Sequence, residues 1–243
     1  LEDYRKEYGR PVDVQYGASQ TLLSQIEVTH TGDLYLPADD SYLRFGEEKG
    51  LIAEVVPIAS MQGVIAVKKG NPKSIKSYAD LLRDDVRLVQ ADPDAAAIGK
   101  LTRQILQKTG KWDELSDSTT AFRTTVTEAA NDVVVGAADA AIVYDAVLFT
   151  YPDLEYVEIS ELMPAASRIS IGVIESSAHP QSALHLARYI AARDRGLKHY
   201  ADQGFRVDGG DVWTDVPELK LFAGSMLRPA IDDTIKEFEQ REG

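Results

Sequence analysis

The side chains that carry out chemistry in enzymes are sparse in this sequence and form no catalytic set. The absence of cysteine excludes disulfides, thiol catalysis and cysteine metal sites. No two histidines have the spacing of a helical zinc pair; they are His30, His179, His185 and His199. Asp39 and Asp40 are adjacent, and adjacent residues on a helix point apart, so they are a poor catalytic pair. We therefore expect no enzymatic activity, no cofactor and no resident metal.

Polar residues are instead placed where helices are expected to begin. Thr125 and Glu128 have the spacing of a capping box, in which each side chain binds a free backbone N–H group. Asp39 suits the N-cap of the helix that follows it. Ser19 comes after a predicted strand and a turn at Gly17. Such caps are common in proteins, so on sequence physics alone they are explained as well-made helix starts.

The elements around these residues alternate between short apolar strands and helical patterns. The predicted strands are Val12–Tyr16, Asp33–Leu36, Gly63–Val67, Val86–Val89, Ala140–Tyr144, Tyr156–Ile159, Ile169–Ile174 and Leu219–Ala223. The predicted helices are Ser19–Ile26, Asp40–Lys49, Ser77–Leu82, Ala95–Lys108, Val126–Val135, Pro180–Ala192 and Pro229–Arg241. This alternation predicts an α/β fold with mostly parallel sheets, in which ligands bind at the carboxyl ends of strands beside helix N-termini.

Composition limits the classes of partner. The 243 residues are 44% hydrophobic, which is enough for one large core or for two lobes. No apolar run approaches the roughly 20 residues that span a bilayer, and no signal peptide is recognisable at Leu1. We expect a soluble protein whose targeting segment, if it is exported, has been removed. The net charge of −13 argues against nucleic acid and against an anionic membrane surface.

An ordered set of short stretches, running from Val12 to Val207, resembles one transport family. The set comprises Val14–Ser19 with Leu22, Gly32–Tyr35 with Ala38–Asp39, Val64–Pro72, Ala91–Pro93 with Gly99, Lys111–Leu115, Gly136–Tyr144 and Tyr200–Phe205. No single stretch is diagnostic, but their order is fairly specific. Together they resemble the molybdate-binding components of ABC transporters, which have the two-lobe periplasmic-binding-protein fold.

The resemblance implies a periplasmic or extracytoplasmic protein that captures molybdate or tungstate and delivers it to an ABC transporter permease. Members of the family bind a tetrahedral oxyanion between the lobes, mainly through backbone N–H groups and hydroxyls. Ser19 matches a hydroxyl ligand, and Tyr144 matches a phenol that caps the ligand. Val126 matches a backbone N–H donor. Ile98 matches another, although the neighbouring loop Asp94–Ala97 departs from the family pattern.

Helix N-termini suit this chemistry, because their unpaired N–H groups and positive dipole ends bind anions without a charged side chain. The acidic surface would then slow the association of an anion without preventing its binding, since surface charges are screened within about 8–10 Å at physiological salt. No carboxylate clearly enters the expected site, which favours a four-coordinate tetrahedral anion.

The resemblance also implies two hinge crossovers between the lobes, near Ile58–Gln62 and Ser160–Ser167. Lobe 1 is expected to comprise residues 1–60 and 168–243, with a C-terminal strand-helix extension from about residue 208. Lobe 2 is expected to comprise residues 63–159. We expect the lobes to close about this hinge when the ligand binds.

The C-terminal segment looks like the strand, ligand loop and helix with which members of the family begin. Leu219–Pro229 resembles the strand and loop, and Glu237–Gly243 parallels Asp3–Gly9 in length, aromatic placement and terminal glycine. We therefore expect one module of a tandem repeat and a vacant strand position. The 219–223 strand would fill that position within the chain, or by strand exchange with a neighbouring chain or second module. Ser225 would then be a fifth ligand; the alternative is a linker strand and a surface helix that touch nothing of the site.

Other functions remain open at this stage. The changed loop at residues 94–97 also suits a binding protein for sulfate, phosphate or a small organic acid. The fold is shared with the effector-sensing domains of regulators, although no basic helix-turn-helix segment accompanies it in this sequence.

Overall fold

The secondary structure is that of an α/β protein, as the sequence predicts. The computed structural model describes residues 1–207, 209–215 and 218–242. The helices are α1 Glu2–Tyr8, α2 Ser19–Thr29, α3 Asp40–Glu48, α4 Tyr78–Leu81, α5 Ala97–Lys108, α6 Trp112–Ser118, α7 Val126–Val134, α8 Pro180–Ile190, α9 Gly196–Asp202 and α10 Arg228–Glu242. The strands are β1 Leu34–Tyr35, β2 Ile52–Lys68, β3 Leu88–Ala91, β4 Thr119–Arg123, β5 Ala140–Tyr144, β6 Leu154–Val157 and β7 Ala166–Ile174.

The strands form two sheets that share the long strand β2. In the first sheet, β7 pairs antiparallel with β1 and with residues 52–62 of β2. In the second sheet, residues 63–68 of β2 pair antiparallel with β5 and β6. The parallel pairing expected from the sequence is found where β3 lies between β4 and β5. The strand order is therefore β1-β7-β2-β5-β3-β4, with parallel pairing at the β4 end and antiparallel pairing from β5 to β1.

Strand β2 passes from one sheet to the other at Gly63. A Cβ atom at Gly63 would lie only 2.8 Å from the Cβ of Ala165, so the close approach of the two crossing segments requires glycine. The sequence predicts only the second part of this strand, Gly63–Val67. The first part contains Pro57, which is unfavourable within a strand, and its pairing has two register irregularities. Backbone pairing with β7 continues through the whole first part, and β2 itself joins the two sheets.

Two predicted strands are wrong for this chain. Val12–Tyr16 forms no ladder, and the Tyr16 side chain is 88% exposed. Leu219–Ala223 also forms no ladder, and Phe222 within it is 96% exposed. The 219–223 segment therefore does not fill a strand position within its own chain. An apolar pattern is compatible with a strand, but pairing needs a neighbouring backbone, which the pattern does not specify.

The hydrophobic core extends over both sheets. Its largest cluster includes Ile65 of β2, Ile142 of β5 and Ile169 of β7. A second cluster packs α7 against the opposite face of the second sheet, and a third joins α2, α3 and Tyr35 of β1. No helix in the described part of the chain has the length and apolar character needed to cross a membrane.

Candidate functional site

Ser19 lies in the first turn of α2 and contacts the segment that leads into α3. Its hydroxyl oxygen accepts a hydrogen bond of 3.1 Å from the backbone N–H of Ala38. Its carbonyl oxygen accepts a bond of 2.8 Å from the Tyr35 hydroxyl. The preceding residue, Ala18, has no side-chain oxygen to cap the helix. First-turn N–H groups of α2 are thus left without a side-chain cap, next to a fixed hydroxyl.

Asp39 begins α3 and is connected to β7 through a buried serine. The backbone N–H of Ser41 donates to Asp39 Oδ1 at 2.8 Å, which confirms the predicted N-cap. The hydroxyl of Ser167 lies 2.8 Å from Asp39 Oδ2 and 2.8 Å from the carbonyl oxygen of Ala38, and it donates to this pair of acceptors. Ser167 is fully buried and faces Met61 of β2 across the ladder. A buried hydroxyl therefore fixes the start of α3 against the strands that join the two sheets.

Tyr144 ends β5 beside this cluster. Its side chain is buried, and its hydroxyl has no hydrogen-bond partner in the described part of the chain. Burial raises the pKa of Tyr144; the nearby Ser167 hydroxyl opposes this increase, and the negative charge of Asp39 adds to it. The phenol is therefore protonated at neutral pH and is a free hydrogen-bond donor. A buried donor without a partner costs about 1–3 kcal/mol, which is a sign of a ligand-binding position.

The beginning of α5 packs against the end of β3 and against the α2–α3 region. A Cβ at Gly99 would lie 2.2 Å from the carbonyl oxygen of Ala91, so only glycine allows this packing. Ile98 is buried, and Ala97 packs against the cluster formed by α2, α3 and β1. The ammonium of Lys100 lies 5.1 Å from the ring centre of Tyr42 on α3. The start of α5 thus meets the region that carries Ser19 and Asp39.

The beginning of α7 has the capping box that the sequence predicts. Glu128 N–H donates to the Thr125 hydroxyl at 3.2 Å, and Thr125 N–H donates to the Glu128 carboxylate at 3.1 Å. The N–H groups of the first two helical positions, one of them on Val126, lie outside this box. Val126 packs against the same hydrophobic cluster that contains Ile98 and Tyr144. Arg123, which precedes the helix, pairs with Asp132 at 2.6 Å.

A cleft of about 250 Å³ opens between the starts of α3 and α5. It is lined by Asp39, Asp40, Ser41, Arg44, Ala97, Lys100, Leu101, Gln104, Ala166 and Arg168. Two carboxylates therefore line the cleft, which includes none of Ser19, Ile98, Val126 and Tyr144. One oxygen of Asp40 is buried without a partner among the described residues. Arg44, Lys100 and Arg168 give the walls three positive charges against these two negative charges.

The structure brings together most of the residues that the sequence singles out. Ile98, Val126 and Tyr144 belong to one hydrophobic cluster. Ser19 is connected by hydrogen bonds to Ala38 and, through the carbonyl oxygen of Ala38, to Ser167. Ser225 lies in an exposed turn before α10, with no contact to Ser19 in the described hydrogen bonds.

Sequence analysis missed Ser167 and the three basic residues of the cleft. The burial of Ser167 could have been predicted, because it alternates along the strand with Ile169 and Ile171, which face the core. Nothing in the sequence distinguishes Arg44, Lys100 and Arg168 from other surface cations. Within the described residues, no group of three or more His, Cys, Asp or Glu side chains could hold a metal ion.

Comparison with known proteins identifies the family of this chain. A model of the family described as bacterial extracellular solute-binding protein matches residues 1–206. This chain belongs to that family. A putative binding protein of Haemophilus influenzae is 25% identical over 205 residues, covering 84% of this chain and 83% of the relative. The molybdate-binding protein ModA of Mycobacterium tuberculosis is 28% identical over 187 residues, covering 76% and 69%. The resemblance found in the sequence motifs is confirmed by these relatives.

Solved structures of similar fold include binding proteins with different ligands. The periplasmic molybdate-binding protein of Azotobacter vinelandii has a TM-score of 0.69 and 16% identity, covering 86% of this chain and 92% of its own. Iron-bound HitA of Pseudomonas aeruginosa has a TM-score of 0.73 and 17% identity, covering 91% and 85%. The two-lobe periplasmic-binding-protein fold is thereby confirmed. The fold alone does not assign a ligand.

Proposed function

We propose that this chain is the solute-binding component of an ABC-type transporter and captures a tetrahedral oxyanion, molybdate or tungstate. The observation that carries the proposal is the Tyr144 hydroxyl, a buried and protonated donor that has no partner in the described structure. An oxyanion oxygen would accept this hydrogen bond and remove the cost of leaving the donor unpaired. The molybdate-binding proteins among its relatives and structural neighbours support the same class of ligand.

The neighbouring donors suit an anion that is held by neutral groups. The Ser19 hydroxyl accepts from Ala38 and so keeps its own proton for a ligand. The starts of α2, α5 and α7 offer backbone N–H groups at Ser19, Ile98 and Val126. Short-range donors at helix N-termini bind anions even when a protein is acidic overall. We therefore propose Ser19, Ile98, Val126 and Tyr144 as the ligand-binding residues of a binding role without catalysis.

The cleft supplies a local charge that favours an anion in spite of the net charge of −13. Arg44, Lys100 and Arg168 line it and form no ion pair among the described residues. Within a Debye length of about 8 Å, such local cations outweigh more distant surface carboxylates. The proposal therefore includes electrostatic guidance of the anion through this cleft.

A small organic acid is the second candidate, and the unpaired oxygen of Asp40 is the observation that favours it. Molybdate and tungstate carry no proton at neutral pH and cannot donate to this carboxylate. An organic acid with a hydroxyl or ammonium group could bind the basic residues and Asp40 at once. Sulfate and phosphate are smaller anions and would fit more loosely between donors spaced for molybdate.

Two lobes that close about the ligand are part of the proposal. Lobe 1 would comprise residues 1–60 and 168–243, and lobe 2 residues 63–159. The support is that β2 continues from one sheet into the other at Gly63, where its N–H donates to the carbonyl oxygen of Ala165 in the segment that leads into β7. Bending near Gly63 and Ala165 would therefore move one sheet relative to the other. Closure would bring Tyr144 of one lobe against Ser19 of the other.

The partner that fits this role is the membrane permease of an ABC transporter. The chain would meet it outside the cytoplasm, since the family is extracellular. A further partner is a second copy of the chain or a second module. The exposed 219–223 segment and the following Ser225 support strand exchange, in which that segment pairs with the edge of β1 of the neighbour. Ser225 would enter the site only in such an assembly.

The test of the ligand is isothermal titration calorimetry with molybdate, tungstate, sulfate and phosphate at one ionic strength. We expect molybdate and tungstate to bind at least about 100-fold more tightly than sulfate, a difference of about 2.7 kcal/mol. Thermal unfolding should show the same ranking, because only the folded state binds. Binding of hydroxylated organic acids with no response to molybdate would favour the second candidate.

A further inference from the structure

The polar cluster around Tyr144 contains an unpaired donor close to a negatively charged acceptor. The carboxylate of Asp39 lies near enough to influence the Tyr144 phenol, yet the two do not form a hydrogen bond. A hydrogen bond from a phenol to a carboxylate is among the stronger bonds in proteins, so a free Asp39 oxygen should capture this donor. The orientation of the Asp39 carboxylate therefore decides whether the Tyr144 hydroxyl stays unpaired.

Each oxygen of the Asp39 carboxylate accepts one hydrogen bond, and the two bonds together fix the orientation of the group. Oδ1 accepts from the backbone N–H of Ser41 at 2.8 Å, and Oδ2 accepts from the Ser167 hydroxyl at 2.8 Å. The Ser41 bond is an ordinary helix cap and fixes one oxygen only. Ser167 alone fixes the second oxygen, and it does so from β7 rather than from the helix that Asp39 caps.

We infer that Ser167 is a positioning residue that holds the Asp39 carboxylate away from the Tyr144 hydroxyl and so keeps the anion site open. The inference rests on the proposed function for its ligand, an oxyanion. Without the Ser167 hydroxyl, Asp39 Oδ2 accepts a hydrogen bond from the Tyr144 hydroxyl and places the carboxylate charge where an oxyanion oxygen would bind. The site then loses a donor and gains a repulsive charge.

The location of Ser167 suits this role. It is completely buried, and its backbone lies in the β2–β7 ladder at the passage between the sheets. Its hydroxyl also contacts the carbonyl oxygen of Ala38, whose N–H donates to Ser19. The Ser167 side chain thereby fixes both the Asp39 carboxylate and the backbone of Ala38, which in turn orients the Ser19 hydroxyl.

Calorimetry with molybdate tests whether removing the Asp39 charge restores the binding that is lost in Ser167→Ala. We expect Ser167→Ala to weaken molybdate binding by about tenfold or more, and Asp39→Asn in the same chain to restore it to within about threefold. Asn keeps the N-cap but removes the charge. Asp39→Asn alone should bind molybdate at least as tightly as the wild type. Ser170→Ala is the matched control, because Ser170 is a buried serine of the same strand outside this cluster.

A measurement without ligand keeps the inference independent of the proposed function. In protein labelled with ¹³C at tyrosine Cζ, the Tyr144 signal is assigned by Tyr144→Phe. We expect this signal to shift in Ser167→Ala, where the phenol binds Asp39, and to return in the double variant Ser167→Ala with Asp39→Asn.

The two measurements distinguish a failure of the proposed function from a failure of the role inferred for Ser167. If the wild type binds none of the anions but the tyrosine signal moves and returns as expected, the proposed function fails and the role of Ser167 stands. If the signal does not move in Ser167→Ala, or if Asp39→Asn restores neither the signal nor the affinity, Ser167 is a structural residue and the inference is wrong. A single Asp39→Asn variant with more than about tenfold weaker binding would also overturn it.

Discussion

The backbone N–H of Ala38 donates a hydrogen bond of 3.1 Å to the hydroxyl oxygen of Ser19, and this bond joins the beginning of α2 to the beginning of α3. The bond uses the acceptor side of the hydroxyl and leaves its proton free. Ser19 is thus oriented by the protein as a donor before any ligand arrives, which reduces the ordering cost of binding.

The Ser19 hydroxyl should contribute more to molybdate binding than to stability. Ser19→Ala should weaken molybdate binding by about tenfold, because a hydrogen bond to a charged group contributes about 1.5–3 kcal/mol. The unfolding free energy should fall by only about 1 kcal/mol, the usual value of one neutral hydrogen bond. Calorimetry and urea unfolding measure the two effects. Ser24→Ala, on the exposed side of the same helix, is the control, and equal affinities for the two variants would exclude Ser19 as a ligand.

Tyr144→Phe should change stability and binding in opposite directions. The variant removes a buried hydroxyl that has no described partner, so the ligand-free protein should unfold at the same or a higher temperature. The rise in melting temperature caused by molybdate should shrink at the same time, because a donor to the ligand is lost.

Tyr35→Phe is the matched control for Tyr144. The Tyr35 hydroxyl donates a hydrogen bond of 2.8 Å to the carbonyl oxygen of Ser19. Loss of this bond should lower the melting temperature of the ligand-free protein. A lower melting temperature for ligand-free Tyr144→Phe would mean that the phenol has a structural partner and is not held free for a ligand.

The general architecture could be predicted from the sequence, but the neighbours of individual strands could not. The α/β class and the exact span of β5, Ala140–Tyr144, follow from compact apolar runs. The first part of β2 has no such run, and the 12–16 and 219–223 segments have the pattern without a partner strand. Helix starts were predicted well, because caps are local. The Ser167–Asp39 bond was not, since it joins residues 128 positions apart.

Gly99→Ala should destabilise the protein strongly. The new Cβ would lie 2.2 Å from the carbonyl oxygen of Ala91, and backbone atoms cannot move aside as a flexible side chain can. Forced overpacking of this kind costs about 1–3 kcal/mol or more, and it would also displace Ile98. Gly224→Ala is the control, because a Cβ there meets nothing within 4 Å. Urea unfolding compares the two, and equal stabilities would show that the α5–β3 contact is looser than described.

Lys100 should control how fast the anion arrives. Lys100→Gln removes one of three cations from the cleft, so the association rate of molybdate should fall about two- to threefold at low salt. The dissociation rate should change less, because Lys100 guides the anion without holding it. Stopped-flow fluorescence at several salt concentrations measures both rates. Lys236→Gln on α10 carries the same charge change away from the cleft, and an identical loss of rate there would attribute the effect to net charge.

Strand exchange predicts that the chain associates through its C-terminal segment. Val12 and Leu34 both pack against the cluster of Tyr4, Leu186 and Tyr189, and the outer edge of β1 pairs with no described strand. Leu219 and Leu221, 74% and 63% exposed, are available to cover that edge in a second copy. Light scattering should therefore give a mass of at least twice 26.7 kDa at micromolar concentrations.

Leu221→Lys should return the mass to that of one chain without lowering its stability, since this side chain is exposed in the isolated chain. Val135→Lys, at an exposed apolar residue just after α7, should leave the association unchanged. Because the chain has no cysteine, mixing a Val14→Cys chain with a Leu221→Cys chain and a short thiol crosslinker would detect the contact directly. A monomeric wild type, or an oligomer that Leu221→Lys does not affect, would rule out exchange through this segment and leave Ser225 outside the site.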